Sequence, residues 1–443
     1  MSEISPKTRP AATLEEKIND RSARVGIIGI GYVGMPTMVA VANGGFIVTG
    51  VDVNGVRVDQ VNSGESYIAD VSGDVLSGLV QNKKISATVD FSVVKDLDVI
   101  IVCVPTPITE HKEPDLSAMN TAIGSVAANM RKGQLVLLQS TSFPGTTEEL
   151  ALPMLQESGL QLGSDFYLAF ALERIDPGNP NLQVHNVPKV VGGITLECTR
   201  IATLFLATFI KEVVPVSSPR IAEMTKLLEN TFRSVNIALM NELSMVCQRM
   251  DIDIWEVIDA ASTKPVGYMP FYPGPGVGGH CIPVDPFYLS WKAKEYDFYV
   301  NFIELAARIN DNMPYYTISR IVDILSENGR ALKDANLLLL GLTFKENISD
   351  TRNSPAVKIM ELLENKGAIV AYSDNNVPKM TINDRSLASV ALQPEVISEY
   401  DAVISLVGHR EFDLAMIVDH AKLLIDTKNA VGYLGPRANV VRV

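Results

Sequence analysis

Residues 24–36, RVGIIGIGYVGMP, leave this chain few folds to adopt. A β-type run passes straight into a helix start through Gly29, Gly31 and Gly34, a G-x-G-x-x-G spacing. The first glycine permits a tight turn, the second lets a pyrophosphate approach the backbone, and the third lets helix and strand pack closely. Tyr32 and Val33 complete the turn, and the helix start would carry the pyrophosphate on its bare amides. Taken alone the motif is weak. The next β-type run, residues 46–51, ends in Asp52, 23 residues after Gly29. An acid there accepts ribose hydroxyls and repels a 2′-phosphate, which favours NAD over NADP; Arg57 pulls the other way. The bland alternative is an Asp that caps a turn.

Further buried strands are expected at 99–104, 135–138 and 166–170. In an open α/β sheet ligands gather at the carboxyl ends of strands, which makes Thr106 and Thr141 candidate contacts for cofactor and substrate. Each is equally a turn residue bonding its own backbone. Glu173, at the end of the 166–170 run, could activate water or form an ion pair.

From about Ser218 to Met250 no Pro or Gly interrupts a helical pattern. Lys226 and Asn230 stand four apart on it, a plausible pair for a developing oxyanion, against a solvated face. Leu227, Leu228, Val235, Leu239 and Val246 make the helix apolar on more than one side, which suggests a subunit interface. Then comes GGHCIPVDP, residues 278–286, with one thiol, Cys281, on a glycine loop and Asp285 four residues on. A thiol there can attack carbon once deprotonated, or can be an inert buried Cys. A second α/β unit begins near Leu332; Phe344, Lys345, Arg352 and Lys428 lie at its strand ends. It lacks a G-x-G-x-x-G, so its ligand is not expected to be the dinucleotide.

The expected architecture is α/β, two Rossmann-like doubly wound domains joined by a central helical segment. The boundaries are an N-terminal extension 1–22, an NAD-binding domain 23–215, a helical dimerisation segment with the Cys loop 216–325, and a second Rossmann-like domain 326–443. A net charge of −13 argues against a nucleic-acid face. Four scattered Cys, a polar residue 1–20 segment and no run of 18 apolar residues point to the cytoplasm, with no membrane span and no metal site.

Together these residues resemble the UDP-glucose/GDP-mannose dehydrogenase family from about Arg24 onward. The shared elements are GxGYVG, Asp52 with Arg57, V-P-T-P at 104–107, Ser140-Thr141, T-K-L-x-E-N at 225–230, GGHCIPVDP, and F-K-x-x-x-x-D-x-R-x-S at 344–354. The resemblance implies a four-electron oxidation of a UDP-sugar's 6-hydroxymethyl to a carboxylate with NAD. It implies Cys281 as the nucleophile, passing through thiohemiacetal and thioester. Lys226 and Asn230 would then stabilise oxyanions, and Glu173, Thr141 and Asp285 would handle water and protons. Lys345 would meet the nucleotide-sugar with Phe344, Gly278 and Lys428, and Arg352 the cofactor side. Glucose-specific members carry a second Glu where this chain has Pro177. The Glu173–Asn179 stretch and residues 263–276 are instead similar to bacterial UDP-N-acetylglucosamine 6-dehydrogenases of surface-polysaccharide pathways. Arg174 becomes a candidate for the acetamido group, and Lys264 stands one position from an Arg that a partner subunit often contributes. UDP-N-acetylmannosamine and UDP-glucose are rival substrates. A non-catalytic nucleotide-sugar-binding protein and a two-electron hydroxy-acid dehydrogenase are readings from other classes; neither needs Cys281. A homodimer or higher homo-oligomer is expected.

Overall fold

The run Val99-Ile100-Ile101-Val102 has no polar face, so a sheet containing it must be covered on both sides. In the computed structural model Val99 and Ile101 lie in one hydrophobic core and Ile100 and Val102 in another. The structure describes residues 12–68, 70–176, 178–179 and 181–443, and divides into two units after Leu227. Residues 1–11 of the expected N-terminal extension and the Pro177 departure lie outside the described residues.

The first unit holds β1 (Arg24–Ile28), β2 (Ile47–Val51), β3 (Ile85–Thr88), β4 (Val99–Val102), β5 (Gln134–Leu138), β6 (Phe166–Ala171), β7 (Lys189–Gly193) and β8 (Val213–Pro215). Their order is β3-β2-β1-β4-β5-β6-β7-β8, parallel except between β6 and β7. Ile28 is level with both Val51 and Val102, so the glycine turn, Asp52 and the 103–107 segment leave the sheet at one edge. Residues 12–22 are part of this fold. Leu14 and Ile18 of the helix Leu14–Asn19 join the core, and Thr13 with Glu16 forms a capping box at its start.

The helix Pro219–Arg249 runs within a residue of the expected limits at each end. Leu228, Leu239 and Val246, expected to be covered, are exposed in the single chain, as are Phe232 and Leu243. The second unit's sheet is β9 (Asn336–Leu340), β10 (Ile369–Ser373), β13 (Ala402–Ser405), β14 (Leu424–Asp426) and β15 (Val440–Arg442), ordered β10-β9-β13-β14-β15 and parallel throughout. β11 (Lys379–Ile382) and β12 (Arg385–Ala388) form a separate hairpin. Leu337 and Leu339 face one core, Leu338 and Leu340 the other. Among the described residues no helix is long and apolar enough to cross a membrane.

Candidate active site

In the first unit the turn after β1 is built to touch a ligand with bare backbone. Gly29 sits at φ +88°, and a Cβ there would lie 2.7 Å from the Cys103 carbonyl oxygen. A Cβ on Gly34 would lie 1.8 Å from the Gly29 oxygen, so only glycine lets the helix Gly34–Asn43 start this close to β1. Gly31 differs: among the described residues nothing stands within 4 Å of the position a Cβ would take. The open space at Gly31, and a helix N-terminus without a side-chain cap beyond it, fit a pyrophosphate. Asp52 is buried and accepts the Ile30 and Asn54 amides, each at 2.9 Å, while Arg57 approaches to 3.6 Å. The turn-capping and ribose-binding readings are thus compatible, since two amides leave part of the carboxylate's acceptor capacity unused. Arg57 also lies over the Tyr67 ring at 5.9 Å, and the Tyr67 hydroxyl donates to the Ile30 carbonyl at 2.5 Å. Tyr32 is exposed and Val33 half-buried beside this turn.

Thr106 is buried after β4. Ser140 donates its hydroxyl to the Val104 carbonyl at 2.8 Å, bracing the ends of β4 and β5, while Thr141 is half-buried next to it. Glu173, after β6, is buried at the centre of a polar cluster. Its carboxylate accepts Lys189 Nζ at 2.9 Å, the Gln139 amide, and the backbone amides of Arg174 and Ile175 at 2.8 and 2.7 Å. Burial pushes its carboxyl up, but the Lys189 charge and hydrogen bond, the Ile175 amide and Lys226 outweigh this and hold it below the usual carboxylate range. Glu173 is therefore an anion, and activating water with it requires one of four donors to let go. Lys226 donates to the Glu173 carbonyl at 2.7 Å. The Arg174 guanidinium donates to the Pro188 carbonyl at 2.8 Å.

Sequence reasoning missed Lys189, Gln139 and Glu223. Gln139 also donates to Thr37 Oγ1 at 3.1 Å, tying the helix after the glycine turn to Glu173. Glu223 is fully buried one turn before Lys226 and accepts the Gly145 and Thr147 amides at 2.6 and 2.9 Å and the Thr147 hydroxyl at 2.6 Å. Burial raises its carboxyl despite those three donors. It fixes the start of the long helix to the segment that follows Thr141.

In the second unit Cys281 is exposed. Its carbonyl accepts the amides of Val284 and Asp285 at 3.1 and 2.8 Å, which turns the chain directly into the helix Asp285–Ala293. Asn230 donates to Asp285 at 2.5 Å, so the structure brings these two candidates together. His280 is half-buried; burial, then the Arg352 charge, lowers its imidazole, which is neutral at physiological pH. Gly278 and Gly279 pack on Phe344: a Cβ on either would lie 2.7–2.8 Å from its atoms. Lys345 is half-buried beyond it, its carbonyl accepting the Thr343 hydroxyl at 2.7 Å. Arg352, expected toward the cofactor, forks onto Asp350 with its nearest contact at 2.6 Å. Lys428 is exposed and lies along Gly274, while Lys264 is exposed beyond the helix Ile254–Ser262.

Comparison with known proteins adds to this geometry. Models of the UDP-glucose/GDP-mannose dehydrogenase family match along the chain: its NAD binding domain at 23–210, its central domain at 220–312 and its UDP binding domain at 338–433. The UDP-N-acetyl-D-glucosamine 6-dehydrogenase of Pseudomonas aeruginosa is 35% identical, over 88% of this chain and 92% of that protein. The UDP-N-acetyl-D-mannosamine dehydrogenase of Pyrococcus horikoshii is 34% identical, over 92% and 96%. A solved structure of the UDP-D-ManNAc dehydrogenase of Pyrococcus horikoshii superposes with a TM-score of 0.85 at 31% identity, covering 95% of this chain and 98% of that one.

Proposed function

Because this chain belongs to the UDP-glucose/GDP-mannose dehydrogenase family, an NAD-dependent UDP-sugar dehydrogenase in kind, we propose that its substrate is UDP-N-acetylglucosamine and its product the C6 carboxylate. The observation that carries the reading is Cys281, an exposed thiol on a glycine turn with the ordered Asn230–Asp285 pair in the same unit. Bound NAD supplies a hydride acceptor, used once for each two-electron step. The Cys281 thiolate adds to the C6 aldehyde carbon to form a thiohemiacetal, whose oxidation leaves a thioester. Asn230 and Lys226 donate to the developing oxyanions. Glu173 takes a proton from the water that displaces the thiol, and Asp285 and Thr141 pass protons onward. Asp52 and the amides of 29–34 orient the dinucleotide; Phe344, Lys345, Gly278 and Lys428 hold the nucleotide-sugar. The relatives named for N-acetylated UDP-hexosamines support an acetamido substrate, and the mannosamine-named ones make UDP-N-acetylmannosamine the rival. The exposed row Leu228, Phe232, Leu239, Leu243 and Val246 supports self-association through the long helix.

One assay series tests this reading. NADH yield per mole and kcat/KM are measured for UDP-N-acetylglucosamine, UDP-N-acetylmannosamine and UDP-glucose, with Cys281→Ala alongside. We expect two NADH per sugar and the highest kcat/KM for UDP-N-acetylglucosamine. UDP-glucose should fall behind by up to about 10⁴-fold where a site built for the amide is left unpaired. Equal or faster turnover of UDP-glucose sinks the substrate assignment, and uronate release by the alanine variant sinks the covalent route.

A further inference from the structure

The Cys281 turn is not held by its own segment alone. Gly279, two residues before the thiol, donates its amide to the Arg352 carbonyl at 3.0 Å and accepts the Asn353 side-chain amide on its own carbonyl at 3.1 Å. Both backbone polar groups of one residue are thus taken by two consecutive residues of the loop after β9. The match is tight. A Cβ on Gly278 would lie 2.7 Å from the Asn353 carbonyl oxygen and 2.8 Å from Pro355, and Gly279 is at φ +87°. Asn353 itself sits at φ +52°, in the left-handed region, where Asn is among the few non-glycine residues found regularly. The fork of Arg352 on Asp350, and the Phe344 amide on the Asp350 carbonyl at 3.1 Å, close the loop into a ring. Phe344 and Lys345 open that ring, and the two residues that grip Gly279 follow just after it closes at Asp350.

We propose that Asn353 is a positioning residue for Cys281, its amide holding the Gly279 carbonyl so that the thiol is presented in one place by the loop that also carries Phe344 and Lys345. The inference rests on Cys281 as nucleophile for its catalytic consequence, but not for its structural one. A backbone held at two points has little freedom two residues on, and displacing a reacting group by 1 Å can cost about a hundredfold in rate.

Asn353→Gly removes the amide while keeping the left-handed backbone accessible. In the full-length enzyme it should lower kcat about ten- to hundredfold with KM for the UDP-sugar within about threefold. In the same variant the peptide containing Gly279 should exchange amide hydrogens at least about tenfold faster. Unchanged exchange or unchanged kcat overturns the proposal. So does a rise in KM that accounts for the whole loss, since that is a nucleotide-sugar contact or a folding defect. Hydrogen exchange involves no thiol chemistry. Faster exchange in Asn353→Gly together with full turnover by Cys281→Ser would leave the grip standing and remove the nucleophile instead.

Discussion

Gly29 and Gly341 occupy the same place in two different sheets. Each follows the last residue of a strand, each has positive φ (+88° and +81°), and each donates its amide to the end of the neighbouring strand: Gly29 to Val51 at 2.7 Å, Gly341 to Ser373 at 2.9 Å. The residue after that neighbouring strand is an Asp in both. Asp52 accepts Ile30 N and Asn54 N; Asp374 accepts Leu342 N at 2.7 Å and Asn376 N at 2.9 Å. The frames match group for group, but the segments leaving them diverge. After Gly29 two more glycines bring a helix in at Gly34; after Gly341 the loop runs to Ser354, which caps the helix Pro355–Asn365. Asp52 faces an Arg57 side chain that is 42% exposed, whereas Asp374 faces His409, whose ring is 1% exposed, at 3.1 Å. The glycine–aspartate pair is therefore a way to turn a chain at a sheet edge. What differs between the two is the loop beyond the pair and the partner given to the Asp.

If the second hub is framework alone, breaking it should cost more stability than any change at the first. His409 Nδ1 accepts the Asn347 amide at 2.9 Å, which leaves its Nε2–H to donate to Asp374. Asp374→Ala strands the Leu342 and Asn376 amides and leaves His409 Nε2–H only Thr343 Oγ1 at 3.3 Å, a loss of about 2–6 kcal/mol at 1–3 kcal/mol per unpaired buried group. Both Trp of the chain, Trp255 and Trp291, lie in the second unit, so tryptophan fluorescence during urea unfolding reads the affected half. The effect should also depend on pH. Burial pushes the Asp374 carboxyl up, but the His409 hydrogen bond and the Leu342 amide win and hold it below its ordinary value. A carboxyl lowered on folding stabilises above its unfolded pKa of about 3.9 and loses that contribution as pH falls through its folded value. Acid unfolding of this unit should thus weaken in Asp374→Asn; a variant as acid-sensitive as the parent breaks the assignment.

Two glycines of the first turn separate packing from binding. Gly34→Ala drives a methyl into the Gly29 carbonyl and should cost about 1–3 kcal/mol of stability. Gly31→Ala meets open space, so thermal unfolding should move little while NAD binding weakens about tenfold or more, the methyl standing where pyrophosphate approaches. Calorimetric titration beside melting curves distinguishes them. Equal stability losses would mean that Gly31 is packed after all.

Much of this was legible in residue order because the central strands of both sheets are buried on both faces and are therefore unbroken apolar runs. The elements that stayed hidden lacked such a run. β7 is a short Lys-Val-Val-Gly-Gly after a Pro- and Asn-rich stretch, and β15 is an edge strand of three residues. Thr13-x-x-Glu16 ahead of Ile18 was a readable helix start at the N-terminus. Lys189, Gln139 and Glu223 act through partners 16 to 102 residues away, which no local pattern announces. Asp374 did carry a signal, since it ends a strand as Asp52 does. The apolar row on the long helix was readable from its spacing alone.

The smallest expected effect sharpens the difference between the two Asp partners. Asp52→Asn keeps the size but only one acceptor oxygen, so one of the two amides, Ile30 on one carboxylate oxygen or Asn54 on the other, loses its acceptor. It removes the charge that would repel a 2′-phosphate, and it releases Arg57, 3.6 Å away and partly in water, to pair with that phosphate. At such an exposed pair the change is on the order of 1 kcal/mol, about fivefold, in the ratio of NAD to NADP kcat/KM. It should shrink further at high salt, because exposed charges are screened. The buried Asp374–His409 pair has no such freedom, and Asp374→Asn should leave coenzyme preference untouched while lowering stability. Steady-state ratios for both variants at low and high ionic strength decide the matter. An NAD preference unmoved in Asp52→Asn would make Asp52 a turn residue like its counterpart, with discrimination placed elsewhere in the first unit.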